Sequence, residues 1–213
     1  HRGARVRGGA GAGSGNAGAR TGRIADRIAA GDARPGQILA ITFTNKAAAE
    51  MRGRVAGLVG PRADHMWVST FHSACVRILR REHEALGLRS SFSIYDAADA
   101  QRLMTIVVKG LNLDPKKYAP KLFSRRVSDL KNELVTPEQF AQQHDATNPV
   151  DAALSDAYRE YDARLRAANA MDFDDLIMRT VELLQQHPAV AEHYRRRFRH
   201  VLVDEYQDTN HAQ

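Results

Sequence analysis

The stretch that decides the fold is residues 201–210, VLVDEYQDTN. Val201, Leu202 and Val203 read as a short strand buried on both faces, which is what a parallel sheet sandwiched between helices requires. The apolar run stops at two carboxylates, Asp204 and Glu205. In an open α/β sheet the ligand crevice lies beyond the carboxyl ends of the strands, so this pair is expected to overhang it. An aspartate there suits a hard cation such as Mg2+, which takes oxygen ligands and keeps waters and substrate phosphates. A neighbouring glutamate can orient or deprotonate a water for attack on a phosphoryl group. Taken alone, an Asp-Glu pair is also what an ordinary acidic turn looks like.

Working outward, two further stretches have the same form. Residues 38–42, ILAIT, form a second buried-strand candidate, which runs into Phe43-Thr44-Asn45. Thr44 or Asn45 can cap a following helix whose apolar stripe is Ala47, Met51, Val55 and Leu58, and Gly60-Pro61 stops it. Residues 66–70, MWVST, form a third strand candidate, followed by Phe71-His72-Ser73 and a helix. The two strand ends echo each other. An aromatic beside hydroxyls and an amide can stack on a base while the polar groups meet phosphate; either phenylalanine can equally be packing under a helix.

Residues 96–170 differ in kind, with helix start signals and no convincing strand. Asp96, Thr136-Pro137 and Asn148-Pro149 each open a helix, and the last carries the stripe Leu154, Tyr158, Tyr161 and Leu165. Residues 116–131 hold six basic side chains against one acid, Asp129; such a run can lie along a nucleic-acid backbone or simply face solvent. Met171-Asp172-Phe173-Asp174-Asp175 opens another helix with acids in its first turn, where the helix dipole favours them. Strand–helix–strand–helix, a helical block and helix–strand together imply one parallel sheet with a helical insertion.

The beginning is anomalous. Residues 1–23 are almost wholly Gly, Ala and Arg, with five arginines and no acid, so five of the six net positive charges reside there. The basic pI of about 9.7 therefore says little about partners. Alone, such a segment cannot bury enough apolar surface to fold, and HRGARVRGG does not read as a strand. Inside it, Gly11, Gly13, Ser14 and Gly15 have the spacing of a phosphate-binding loop. That loop needs a Lys and then a Ser or Thr, and here Asn16 and Ala17 stand in those places. With 213 residues, 43% hydrophobic, the chain is ordinary for a globular protein. No apolar run approaches a membrane span. The single cysteine, Cys75, fits a reducing cytoplasm and reads as a small core residue rather than a nucleophile.

Six stretches taken together, AITFTNKAAAEM (40–51), WVSTFHSACVRILR (67–80), FSIYD (92–96), LKNEL (130–134), MDFDDLI (171–177) and VLVDEYQDTN (201–210), resemble in order those of the UvrD/PcrA-type superfamily 1 DNA helicases. The resemblance runs from about Ile24 to Gln213. It implies an α/β RecA-like P-loop NTPase fold with an all-helical subdomain inserted at 96–170, between motor segments 24–95 and 171–213. It further implies ATP and Mg2+ as cofactors, and 3′ to 5′ movement on single-stranded DNA and at single-/double-strand junctions. By the resemblance Asp204 would hold Mg2+, Glu205 would activate the attacking water, and Gln207 would sit near the γ-phosphate. Thr42, Phe43, Thr44, Asn45, Thr70, Phe71 and His72 would lie on the DNA, and the basic run at 116–131 would face duplex.

The departures are the loop, the lack of an upstream glutamine motif that reads adenine, and the lack of a second RecA-like lobe after residue 213. With them the chain alone is expected to be inactive. One expectation for residues 1–23 is an aberrant leader from a shifted frame in a GC-rich gene; the other is a genuinely diverged loop. Two functions therefore stand: a fragment of an ATP-dependent DNA helicase of repair or replication, or a non-catalytic DNA- or protein-binding module with a decayed phosphate loop.

Overall fold

The computed structural model of the protein describes residues 5–8 and 15–213. In chain order the elements are β1 (Arg5–Gly8), α1 (Gly15–Ala29), β2 (Ile38–Thr42), α2 (Asn45–Val59), β3 (Trp67–Thr70), α3 (Phe71–Arg81), β4 (Ser93–Tyr95) and α4 (Ala97–Gly110). They continue with α5 (Pro120–Asn132), α6 (Pro137–Gln143), α7 (Pro149–Ala167), β5 (Ala170–Asp172), α8 (Phe173–Gln186), α9 (Pro188–Arg197) and β6 (His200–Val203). The chain forms two compact units. One runs through Ile78 and resumes over Leu183–Thr209; the other comprises Leu79–Glu182 and Asn210–Gln213.

The first unit is built on a four-stranded sheet in the order β1-β6-β2-β3, with every neighbouring pair parallel. Alternation along the strands explains why both faces are packed. Ile38 and Ala40 of β2, Val68 of β3 and Leu202 of β6 meet Ile24 and Ile28 of α1 and Ala48, Met51 and Val55 of α2. The intervening residues, Leu39, Ile41, Val201 and Val203, pack with Phe71 and Ala74 of α3. Val203 is buried, but Val201 and Leu202 are only partly so, less than the fully buried strand expected. The stripe of α2 is also rotated from the expected one. Ala48, Met51, Val55 and Val59 face the core, while Leu58 is 61% exposed. On β3, Trp67 packs edge-on against Phe198, with the guanidinium of Arg77 3.9 Å from its ring centroid.

The beginning of the chain corrects the sequence reading most. Arg5–Gly8, dismissed above as a strand, pairs in parallel with β6, Arg5 opposite His200 and Gly8 opposite Val203. A parallel ladder is made by backbone amides and carbonyls, so a neighbouring strand can order a segment whose side chains give no apolar signal. Helix α1 likewise starts at Gly15, inside the supposed leader, and buries Arg20 and Thr21.

The second unit is mainly helical and follows its start signals closely. Asp96, Thr136 and Asn148 each accept backbone N–H bonds at the first turns of α4, α6 and α7. The α7 stripe Leu154, Tyr158, Tyr161 and Leu165 is fully buried with Met104, Val107, Phe123 and Val127. This unit also contains β4 and β5, which pair in parallel, Ser93 with Ala170 and Tyr95 with Asp172.

Its centre is ionic. Lys131, 1% exposed, places Nζ 2.8 Å from Asp172 Oδ2 and 2.9 Å from Asp175 Oδ1. The Tyr161 hydroxyl donates to Asp172 Oδ2 at 2.8 Å. The backbone N–H of Asp175 donates to Asp172 Oδ1, and that of Asp172 to Asp175 Oδ2. These contacts correct two expectations: Lys131 belongs to no exposed basic face, and Asp172 and Asp175 serve as buried counter-ions, with Asp172 in β5 rather than in a helix turn. One lysine cannot neutralise two carboxylates. Burial opposes ionisation of Asp172, yet the Lys131 charge and hydrogen bond hold it below the usual carboxylate range. Asp175 carries the excess: burial, with the neighbouring Asp172 charge, outweighs Lys131 and pushes it up to about 6.

Lys131→Met leaves both carboxylates buried without a cation and is expected to destabilise this unit by about 3–5 kcal/mol, read from the shift of its urea denaturation midpoint. The Asp175 carboxyl binds its proton more tightly folded than unfolded, so its contribution to stability is full below its unfolded value near 3.8 and is lost as pH rises through about 6. Stability measured between pH 4 and 7.5 is expected to fall across that window, and Asp175→Asn to flatten the fall.

Candidate functional site

Register places the candidate residues before any side chain is considered. Thr42 ends β2 opposite Thr70 at the end of β3, and Ile41 lies opposite Val203 at the end of β6. Gly8 lies opposite Val203 on the other side. The strands are parallel, so all four carboxyl ends share one edge of the sheet, where an open α/β sheet binds its ligands. That edge brings together residues 42–45, 70–72 and 204–207.

The ladder extends one step past β6, because the Asp204 N–H donates to the carbonyl of Ile41 at 2.9 Å. The backbone then turns sharply. Glu205 adopts φ 50°, ψ 46°, the left-handed region that a non-glycine residue seldom occupies. Its N–H donates to Asp204 Oδ1 at 3.1 Å, and its carbonyl accepts from the Asp208 N–H at 2.9 Å. Strain of this kind persists where surrounding contacts over-determine the backbone, and it concentrates at functional sites. Glu205 and Gln207 are exposed and Asp204 is partly buried.

The carboxylate of Asp204 is ion-paired through Oδ1 with Nη1 of Arg20 from α1. Sequence reasoning missed this contact, having assigned Arg20 to a leader. No local pattern signals it, because the partner lies just past a strand far along the chain. Asp204 offers the oxygen donor that Mg2+ takes, so the donor chemistry fits, but the oxygen is already shared with a guanidinium. Among the described residues no group of three or more His, Cys, Asp or Glu gathers to hold a metal. Of the phosphate-loop candidates, Gly11, Gly13 and Ser14 lie outside the described residues, and Gly15, Asn16 and Ala17 form the first residues of α1. The order strand, glycine-rich run, helix is thus present around them.

At the other two strand ends the threonines organise the turns. Thr42, fully buried, donates from Oγ1 to the Thr44 carbonyl at 3.0 Å. The Thr44 hydroxyl caps α2 by accepting from the Ala47 N–H at 3.1 Å, which leaves exposed Asn45 as the first helical residue. Thr70 Oγ1 accepts from the Ser73 N–H at 3.2 Å and donates to the Ser73 hydroxyl, holding the start of α3. Phe43 and Phe71 then meet edge to face, ring centroids 5.6 Å apart. Both rings, and His72, are partly exposed, so the pair packs together without being sealed in the core.

A four-stranded parallel sheet with helices on both faces and an acidic turn at the strand ends defines the class as a parallel α/β domain. The profile of the UvrD/REP helicase N-terminal domain matches residues 9–213, and the chain belongs to that family. It is 59% identical over 206 residues to the ATP-dependent DNA helicase UvrD1 of Mycobacterium tuberculosis, and 56% identical over 210 residues to UvrD1 of Mycobacterium leprae. It is 48% identical over 204 residues to the ATP-dependent DNA helicase PcrA of Bacillus subtilis. Each match covers 96% of this chain but 27% of the relative, so the chain spans about a quarter of those proteins' length. The profile begins at residue 9, so the family likeness includes the glycine run. Among the described residues no helix is long and apolar enough to cross a membrane.

Proposed function

We propose that this chain is the first part of an ATP-driven motor that moves 3′ to 5′ along single-stranded DNA in repair or replication. On this reading its sheet is RecA-like and its helical unit is an insertion in the motor. The observation that carries the proposal is the convergence of Asp204-Glu205, Thr42-Phe43-Thr44-Asn45 and Thr70-Phe71-His72 on one sheet edge. A nucleotide and a nucleic-acid strand each need such groups, and coupling them needs both on the same rigid scaffold.

Within this reading the roles follow from chemistry. Glu205, exposed on a strained turn, orients a water against the γ-phosphate and accepts its proton. Gln207, two residues on, contacts the γ-phosphate and links its loss to movement. Asp204 would hold Mg2+, which when bound offsets charge on the phosphates. Phe43 and Phe71 give bases an aromatic surface, while Thr42, Thr44, Asn45, Thr70 and His72 meet the sugar–phosphate backbone. Lys116, Lys117, Lys121 and Arg125 of the second unit are exposed and would face duplex at a junction.

The glycine run has the spacing of a phosphate loop, but Asn16 and Ala17 lack the ammonium and hydroxyl of an efficient one. The chain by itself is therefore inactive in this reading. The non-catalytic alternative draws support from the same substitutions and from the guanidinium already on Asp204.

Binding of a fluorescent single-stranded oligonucleotide tests the DNA edge. Phe43→Ala and Phe71→Ala should each weaken it by about 1–3 kcal/mol, the worth of a stacked base, with circular dichroism unchanged. Unchanged affinity in both variants would remove the proposed path. Calorimetry with Mg-ATP tests the loop. The chain is expected to bind weakly and the Asn16→Lys, Ala17→Thr variant to gain several kcal/mol through a charge-assisted phosphate contact; equal affinities would refute the role given to residues 16 and 17.

A further inference from the structure

The Arg20–Asp204 pair is a feature of the sheet edge that the proposed motor does not use. Arg20 is 8% exposed and its partner carboxylate is 20% exposed, so the pair is largely shielded from solvent. Helical side chains lean toward the N-terminus of their helix. An arginine one turn after Asn16 therefore reaches back toward the start of α1, where the glycine run ends. The Oδ1 atom it engages also accepts the Glu205 N–H.

A guanidinium in a protein does not shed its proton, so it cannot leave the pair by becoming neutral. A divalent cation approaching Asp204 must displace that guanidinium or share a carboxylate with it against mutual repulsion.

The geometry points to Arg20 as a built-in counter-ion that competes with divalent metal for Asp204 and sets the metal affinity of this chain low. The inference rests on the reading of Asp204 as the metal-holding carboxylate. It makes Arg20 a determinant of cofactor affinity, acting through Asp204.

The probe is Mn2+ alone, with free ion measured by electron paramagnetic resonance and binding heat by calorimetry, on the chain as it stands and on Arg20→Leu. Removing the competing cation from the carboxylate should tighten Mn2+ binding by roughly tenfold, the scale of a single opposite-charge contact. Asp204→Asn in the Arg20→Leu background should abolish the gain, and added Mn2+ should raise the melting temperature of Arg20→Leu but not of the parent. Arg20→Gln, which keeps a polar head, takes the place of Arg20→Leu if that variant does not fold. Equal or weaker Mn2+ binding by the Arg20 variants overturns the inference; if Asp204→Asn still lowers binding in the parent, Asp204 remains the metal carboxylate and Arg20 alone was misread. If no variant binds Mn2+, the inference and the metal reading of Asp204 both fall.

Discussion

Everything at the sheet edge depends on where β6 lies. The last strand of the chain enters between the first and second, hydrogen-bonded to β1 on one side and β2 on the other. Because both ladders are parallel, the carboxyl end of β6 falls beside the ends of its neighbours. The acidic turn, about 160 residues downstream of Thr42 by the numbering, thereby comes to the edge that carries Thr42 and Phe43. A one-residue slip would turn Leu202 away from α1 and α2 and expose it toward α3. Packing on both faces thus protects the register that assembles the site.

The second unit follows a different rule. Its helices share an apolar core, but α5, α7, β5 and α8 also meet at Lys131, Tyr161, Asp172 and Asp175. Buried ion pairs seldom add much net stability, because desolvation offsets their attraction. They are nonetheless demanding of geometry, since any misplaced member leaves a charge unpaired. The reciprocal backbone bonds between residues 172 and 175 fix where β5 ends and α8 begins. Asp175, whose burial outweighs the pull of the shared lysine, makes this unit responsive to pH in the mildly acidic range.

At the candidate site, groups that bind and groups that hold the backbone are interleaved. Thr44 caps α2 while its neighbour Phe43 reaches Phe71. Asp204 ties β6 to β2 through its amide and receives Arg20 on its carboxylate. Glu205 carries the positive φ that lets the chain leave the sheet. A substitution here alters both architecture and chemistry, so assays on such variants need a fold readout beside the binding one.

Much was legible in the sequence because it is written in local pattern. The strands read at 38–42, 66–70 and 201–203 announce themselves as short runs rich in β-branched and other apolar residues, and the caps Asp96, Thr136 and Asn148 as side chains able to accept from their own first turns. The acidic turn and the paired Thr-Phe strand ends were visible for the same reason. What tertiary structure decided is whatever rests on distant partners. Arg5–Gly8 is a strand because β6 lends it a hydrogen-bonding edge, not because of its side chains. Lys131 looks like the end of a basic run until Asp172 and Asp175 arrive from some 40 residues away. Arg20 looks like linker until folding sets it against Asp204. Hydrophobic period and capping act over a few residues and can be read from the chain; backbone pairing and charge neutralisation act between elements, and only the folded chain chooses their partners.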